Sequence, residues 1–158
     1  MGELGIGKSR LLEFTAKLAA EKGLRVLGAR CFEAEAVRPY GCWADALGPV
    51  IAEFADEPIR RDLALFLPRG EASANDEGSR TRLFAAVASL LASIDEESPF
   101  VLMIDDLQWI DEGSSYLLHY LLRATDVPAR FLFIAAARED ALEDNPCFKR
   151  VVSAMVQE

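Results

Sequence analysis

One histidine, His119, and three scattered cysteines, Cys31, Cys42 and Cys147, are all that this chain of 158 residues offers a soft metal. No C-x-x-C pair occurs, which argues against a closed zinc site and for free thiols in a reducing cytoplasm. Long apolar runs are also missing, and none approaches the roughly 20 residues a membrane-crossing helix needs. Glu3 and the early glycines stand where a signal peptide would carry its charged and apolar regions, so no secretory leader is expected. Positive charge is in short supply: 17 Lys and Arg against 26 Asp and Glu give a net charge of −9. Gripping a nucleic-acid backbone takes concentrated Lys and Arg, so direct nucleic-acid binding by this segment is disfavoured. No helix-turn-helix pattern argues otherwise. What remains, 51% hydrophobic and 27% charged residues, is the composition of a soluble globular protein. The length suits a single domain, 1–158, with a real core.

The most informative stretch is Gly2-Glu3-Leu4-Gly5-Ile6-Gly7-Lys8-Ser9, which fits G-x-x-x-x-G-K-[ST], the phosphate-binding loop. Glycines let the backbone curl and turn successive N–H groups inward as an anion nest. Lys8 would reach the β- and γ-phosphates, and the Ser9 hydroxyl would ligate Mg²⁺. The helix that starts here adds its positive N-terminal end. Gly2, Gly5, Ile6, Gly7, Lys8, Ser9 and Arg10 are therefore the candidate nucleotide-binding residues, Ile6 only by its place in the loop. The plainer reading is a glycine-rich turn before an ordinary helix. Context should decide between them, because such a loop normally joins a strand to a helix. The helix is legible: Leu11, Leu12, Thr15, Leu18 and Ala19 are expected to form one apolar face, and Gly23 is a plausible C′ stop. Only Met1 precedes Gly2, so the loop is expected to hang free at the N-terminus.

Further on, residues 24–31 read as a short strand, and Glu33–Gly41 as an irregular loop. Trp43, Leu47, Val50, Ile51 and Phe54 recur at helical spacing, with Pro49 implying a kink or break. A short helix is expected from Pro58 to Leu67, and an exposed, mobile loop at 68–78. From Ser79, Leu83, Phe84, Val87, Leu90, Leu91 and Ile94 make a continuous helical face. Phe100–Ile104 is an apolar run that ends in Asp105-Asp106, the pattern of a buried parallel strand with acids at its C-terminal edge. Asp111 can cap a helix running to about Arg123. Arg130–Ala137 is a further buried strand, and Asn145-Pro146 opens a last helix that faces inward through Phe148, Val151, Val152, Met155 and Val156. Strands alternate with helices, so the class is α/β: a short parallel sheet flanked by helices in three layers.

The acids supply what such a loop lacks. In P-loop enzymes a carboxylate at the end of an apolar strand holds Mg²⁺, which here would be Asp105. Asp106 would act as general base on the attacking water. Lys8 and Arg138 complete the catalytic candidates: a guanidinium at the end of the next strand can fork onto phosphate oxygens. Against this, two acids commonly end a strand at a surface, and Arg138 could simply pair with Glu139 or Asp140. Gln108 and Trp109 are open between core and surface, and His119 is expected on a helix flank.

Gly2–Leu12 (GELGIGKSRLL), Arg30-Cys31-Phe32, Pro39-Tyr40 with Trp43, Asp105–Asp111 (DDLQWID) and Ala137-Arg138 resemble the AAA-type, STAND-class ATPase domain. That domain occurs in large LuxR-type bacterial transcriptional regulators and in related tetratricopeptide-bearing adenylate cyclases. The resemblance implies a cytoplasmic module that binds ATP with Mg²⁺, hydrolyses it slowly to ADP, and controls self-association. The family's sheet order is 5-1-4-3-2, and the strands found here correspond to two, three and four. Strand one, a G-R-x-x-E-type segment before it, strand five and the helical lid have no counterpart, so a partial domain is expected. Strand four should then expose an unpaired edge that invites association with another chain. The rival reading is a non-enzymatic α/β scaffold or interaction piece with a vestigial P-loop.

Overall fold

The computed structural model describes residues 2–3, 5–35, 38–64, 77–123, 131–142 and 144–156. Three parallel strands form one sheet in the order β1 (Arg25–Arg30), β2 (Phe100–Asp105), β3 (Leu132–Ala135). Registers run from Arg25 opposite Phe100 to Arg30 opposite Asp105, and from Val101 opposite Leu132 to Ile104 opposite Ala135. The acids of β2 thus emerge at the C-terminal edge of the central strand, beside Arg30.

The two-residue alternation of β2 assigns its faces. Phe100, Leu102 and Ile104 enter the main core together with Leu27 and Trp43, while Val101 and Met103 form a smaller cluster with Ala19. The main face is covered by α2 (Gly41–Phe54), α4 (Glu77–Glu97), α5 (Glu112–Arg123) and α6 (Pro146–Val156), with α3 (Glu57–Leu63) packed on α4. All six apolar residues expected along α4 are buried there. The other face carries α1 (Lys8–Glu21) across β1 and β2.

α1 departs from its expected apolar face. Leu12 and Ala16 are half-buried and Ala19 is buried, whereas Leu11 is 65% and Leu18 41% exposed, as is Phe14 at 64%. The helix touches the sheet along a narrow i, i+4, i+7 stripe, and no described residue covers the stripe beside it. Other boundaries also move. α2 continues through Pro49, which is exposed, so the helix bond that proline removes is lost on the solvent side. α3 begins at Glu57, capped by Asp56, whose Oδ1 accepts from Ile59 N at 3.0 Å. α4 begins at Glu77; residues 65–76, where the end of the Pro58–Leu67 helix and most of the 68–78 loop were expected, lie outside the described residues. In α6, Phe148 and Val151 are buried but Met155 is 40% exposed; the Val156 side chain is outside the described set. Gly23 does stop α1, at φ +76°.

The expected free edge is only partly free. Among the described residues no strand pairs with the outer side of β3, and Leu132 is exposed, but Gly2 makes a parallel bridge to Arg138 three residues beyond it. The N-terminal loop therefore does not hang free, because it is tied to the sheet beside β3. Cys31, Cys42 and Cys147 are free thiols, the first two buried. A hydrogen bond with Cys42, together with burial, pushes the Cys31 thiol pKa up.

Asp111 holds the front of the core together. Its Oδ1 accepts from Tyr40 N at 3.1 Å and from Ser114 N at 2.9 Å, capping α5 and fixing the entry to α2. Asp111→Ala leaves two N–H groups without their acceptor and should destabilise the chain by about 1–3 kcal/mol in urea unfolding. A change within about 0.5 kcal/mol, the usual size for an unengaged surface site, would contradict this role.

Candidate functional site

The glycines of the loop take the conformations its sequence requires. Gly5 and Gly7 have φ of +81° and +97°, a region that side chains other than glycine rarely occupy, and an added Cβ would meet open space at both. Gly7 is the N-cap of α1, and its carbonyl accepts from Leu11 N at 2.9 Å. Lys8 folds back into the loop: its ammonium donates to the Gly2 and Glu3 carbonyls, at 2.7 Å each. Ile6 is 69% exposed, and Ser9 and Arg10 are exposed at the start of α1. Leu4 lies outside the described residues.

The acid pair is bound into the sheet edge. Asp105 Oδ1 accepts from Asp106 N at 2.9 Å, and its other oxygen accepts no hydrogen bond from the described residues. Asp106 adopts the left-handed region at φ 51°, ψ 41°, a conformation that costs a non-glycine residue about 1–3 kcal/mol. Both of its oxygens are engaged. Oδ2 accepts from Arg30 Nε at 2.8 Å and lies 2.6 Å from Arg30 Nη2, while Oδ1 accepts from Gln108 Nε2 at 3.0 Å. The hydrogen bond and charge of Asp106 raise the Arg30 pKa.

Gln108, open between core and surface in the sequence, is 1% exposed and joins the parts. Its Oε1 accepts from Arg138 N at 3.1 Å, and its backbone carbonyl accepts from Asn145 Nδ2 at 2.7 Å. Asn145 Oδ1 in turn accepts from Cys147 N at 2.8 Å at the start of α6. Beyond the strands, Ala136 N bonds to Ile104 O and Leu107 N to Ala136 O, both at 2.9 Å, so β2 and β3 stay locked through the acid turn. The signal available in the sequence was a glutamine two residues past the acids, in DDLQW; nothing in its spacing said that the amide would be buried.

Arg138 shows the plainer pairing, with Asp140. Its Nε lies 3.3 Å from Asp140 Oδ1, in ion-pair range, yet that buried nitrogen makes no hydrogen bond. His119 sits on α5, half-buried, also with its Nδ1 buried and unpartnered.

A nucleotide fits these residues. Lys8 places a cation against the loop carbonyls, there is open space at Gly5 and Gly7, and the Arg138 guanidinium, paired with Asp140, stands at the adjoining strand end. Among the described residues no group of three or more His, Cys, Asp and Glu could hold a metal by itself. Mg²⁺ is commonly held by one or two protein oxygens together with substrate phosphates; Ser9 and Asp105 are the residues that would hold it. No helix of the described residues is long and apolar enough to cross a membrane.

A comparison with curated proteins finds no match. The family model of the AAA ATPase domain, however, matches residues 1–134, most of the chain and both the loop and the acid pair. The chain belongs to the AAA ATPase domain family, with an α/β fold built on a three-stranded parallel sheet of the P-loop type.

Proposed function

We propose that the chain is an ATP-binding, slowly hydrolysing regulatory module of a cytoplasmic, signal-responsive transcriptional regulator or cyclase. One chain of contacts carries this reading. Gly2 bridges Arg138, Arg138 N bonds to Gln108 Oε1, and Gln108 Nε2 bonds to Asp106 Oδ1. Three motif pieces that are distant in sequence thereby meet at one end of the sheet. The regulator or cyclase context rests on the resemblance of the sequence motifs alone.

Lys8 would exchange the Gly2 and Glu3 carbonyls for phosphate oxygens, and the N–H groups of Gly5–Ser9 would line the same anion. Ser9 Oγ and the unengaged Asp105 oxygen would hold Mg²⁺, which supplies charge neutralisation on the phosphates. Asp106 would orient the attacking water and take its proton. Each of its oxygens already has a partner, so the water would compete with Arg30 or Gln108 for it. That competition would keep turnover slow, with Arg30 restraining the base.

Two outcomes follow. Mg-ATP at 100 times Kd should stabilise the chain by about 2.7 kcal/mol, and Lys8→Ala should remove the effect. In a thermal melt that is about 5–10 °C for a chain of this size. No shift at millimolar ATP would sink the reading and leave the scaffold alternative. The second outcome concerns rate. Arg30→Ala should raise single-turnover hydrolysis severalfold without changing ATP affinity, and Asp106→Asn should abolish hydrolysis while sparing binding. A slower Arg30→Ala chain would show that Arg30 aids the reaction rather than restrains it.

A further inference from the structure

Away from the sheet edge, α4 and α5 flank an open cavity of about 360 Å³ lined by Arg80, Phe84, Tyr116, His119, Tyr120 and Arg123. Helical spacing builds it. Arg80 and Phe84 lie one turn apart on α4, and the four α5 residues follow at i, i+3, i+4 and i+7. The opposite side of α5, through Leu117, Leu118 and Leu121, is buried in the core. The volume is at the lower end of the roughly 300–1,000 Å³ typical of small-molecule sites.

The walls are aromatic and held in place. Phe84 and Tyr120 pack with centroids 5.4 Å apart. Tyr116 carries the Arg80 guanidinium 5.6 Å from its ring centroid, and that of Arg150 from α6 at 4.2 Å. The polar lining is all basic. In a chain of net charge −9, no carboxylate among the described residues lines this cavity, and neither Arg80 nor Arg123 has an ion-pair partner among them. His119 completes the basic and aromatic lining.

We propose that this cavity is a second ligand site, separate from the loop and acid pair, that takes a small aromatic carboxylate. The ligand ring packs against Tyr116, Tyr120 and Phe84, and a guanidinium of Arg80 or Arg123 forks onto the carboxylate. A bare anion would leave the rings unused, and a neutral aromatic would leave the guanidinium groups unanswered.

Salicylate titrated into the ¹⁵N-labelled chain is the probe, with acetate and benzyl alcohol as charge-only and ring-only controls. Salicylate should shift the amides of α4 and α5 saturably, with both controls weaker. Loss of a charge-assisted bond should weaken binding about tenfold or more in Arg80→Ala/Arg123→Ala. Tyr116→Leu, which keeps bulk but removes the ring, should also weaken it, and Lys8→Ala should not. Unchanged circular dichroism would show that these variants fold. Absence of saturation, an unchanged Kd in the double arginine variant, acetate binding as well as salicylate, or loss of binding in Lys8→Ala would each overturn the proposal.

Discussion

The buried amide of Gln108 is the constraint on which the C-terminal edge of the sheet depends. An amide has one acceptor and one donor end, and here both ends are engaged, by Arg138 N and Asp106 Oδ1 respectively. Away from water, losing either partner would strand a polar group at about 1–3 kcal/mol. The acid turn and the strand end that bridges to the N-terminal loop are therefore set relative to one another, and Asn145 extends the same fixing to α6. A phosphate site needs this rigidity, because a loop of glycines has little of its own.

Arg30 adds a second constraint of a different kind. Its guanidinium is more than half exposed, so its pair with Asp106 is screened and can open, unlike the Gln108 contact. One carboxylate is thus held by a part-buried bond on one oxygen and an exposed pair on the other.

Much of this was readable beforehand because it depends on local chemistry. The phosphate loop is spelled by residues whose backbone angles demand glycine, and β2 announces itself as an apolar run closed by acids. Asp111, Asn145 and Gly23 cap or stop helices through bonds to near neighbours in sequence. What could not be read depends on what lies opposite. The apolar stripe of α1 points partly to solvent because no described residue covers Leu11, Phe14 and Leu18. Gln108 is buried because residues 30 positions away supply an amide for it. The tie between Gly2 and Arg138 crosses the chain from end to end, so no local pattern could announce it.

In the proposed site, the loop, the acid pair and Arg138 together bind one nucleotide. Titrating Mg-ATP into the ¹⁵N-labelled chain tests it directly. Amides of Gly2, Gly5–Arg10, Asp105, Asp106 and Arg138 should shift together with a single Kd, and the shifts should vanish in Lys8→Ala. Shifts confined to one of the three segments, or different Kd values among them, would show that they do not form a single site.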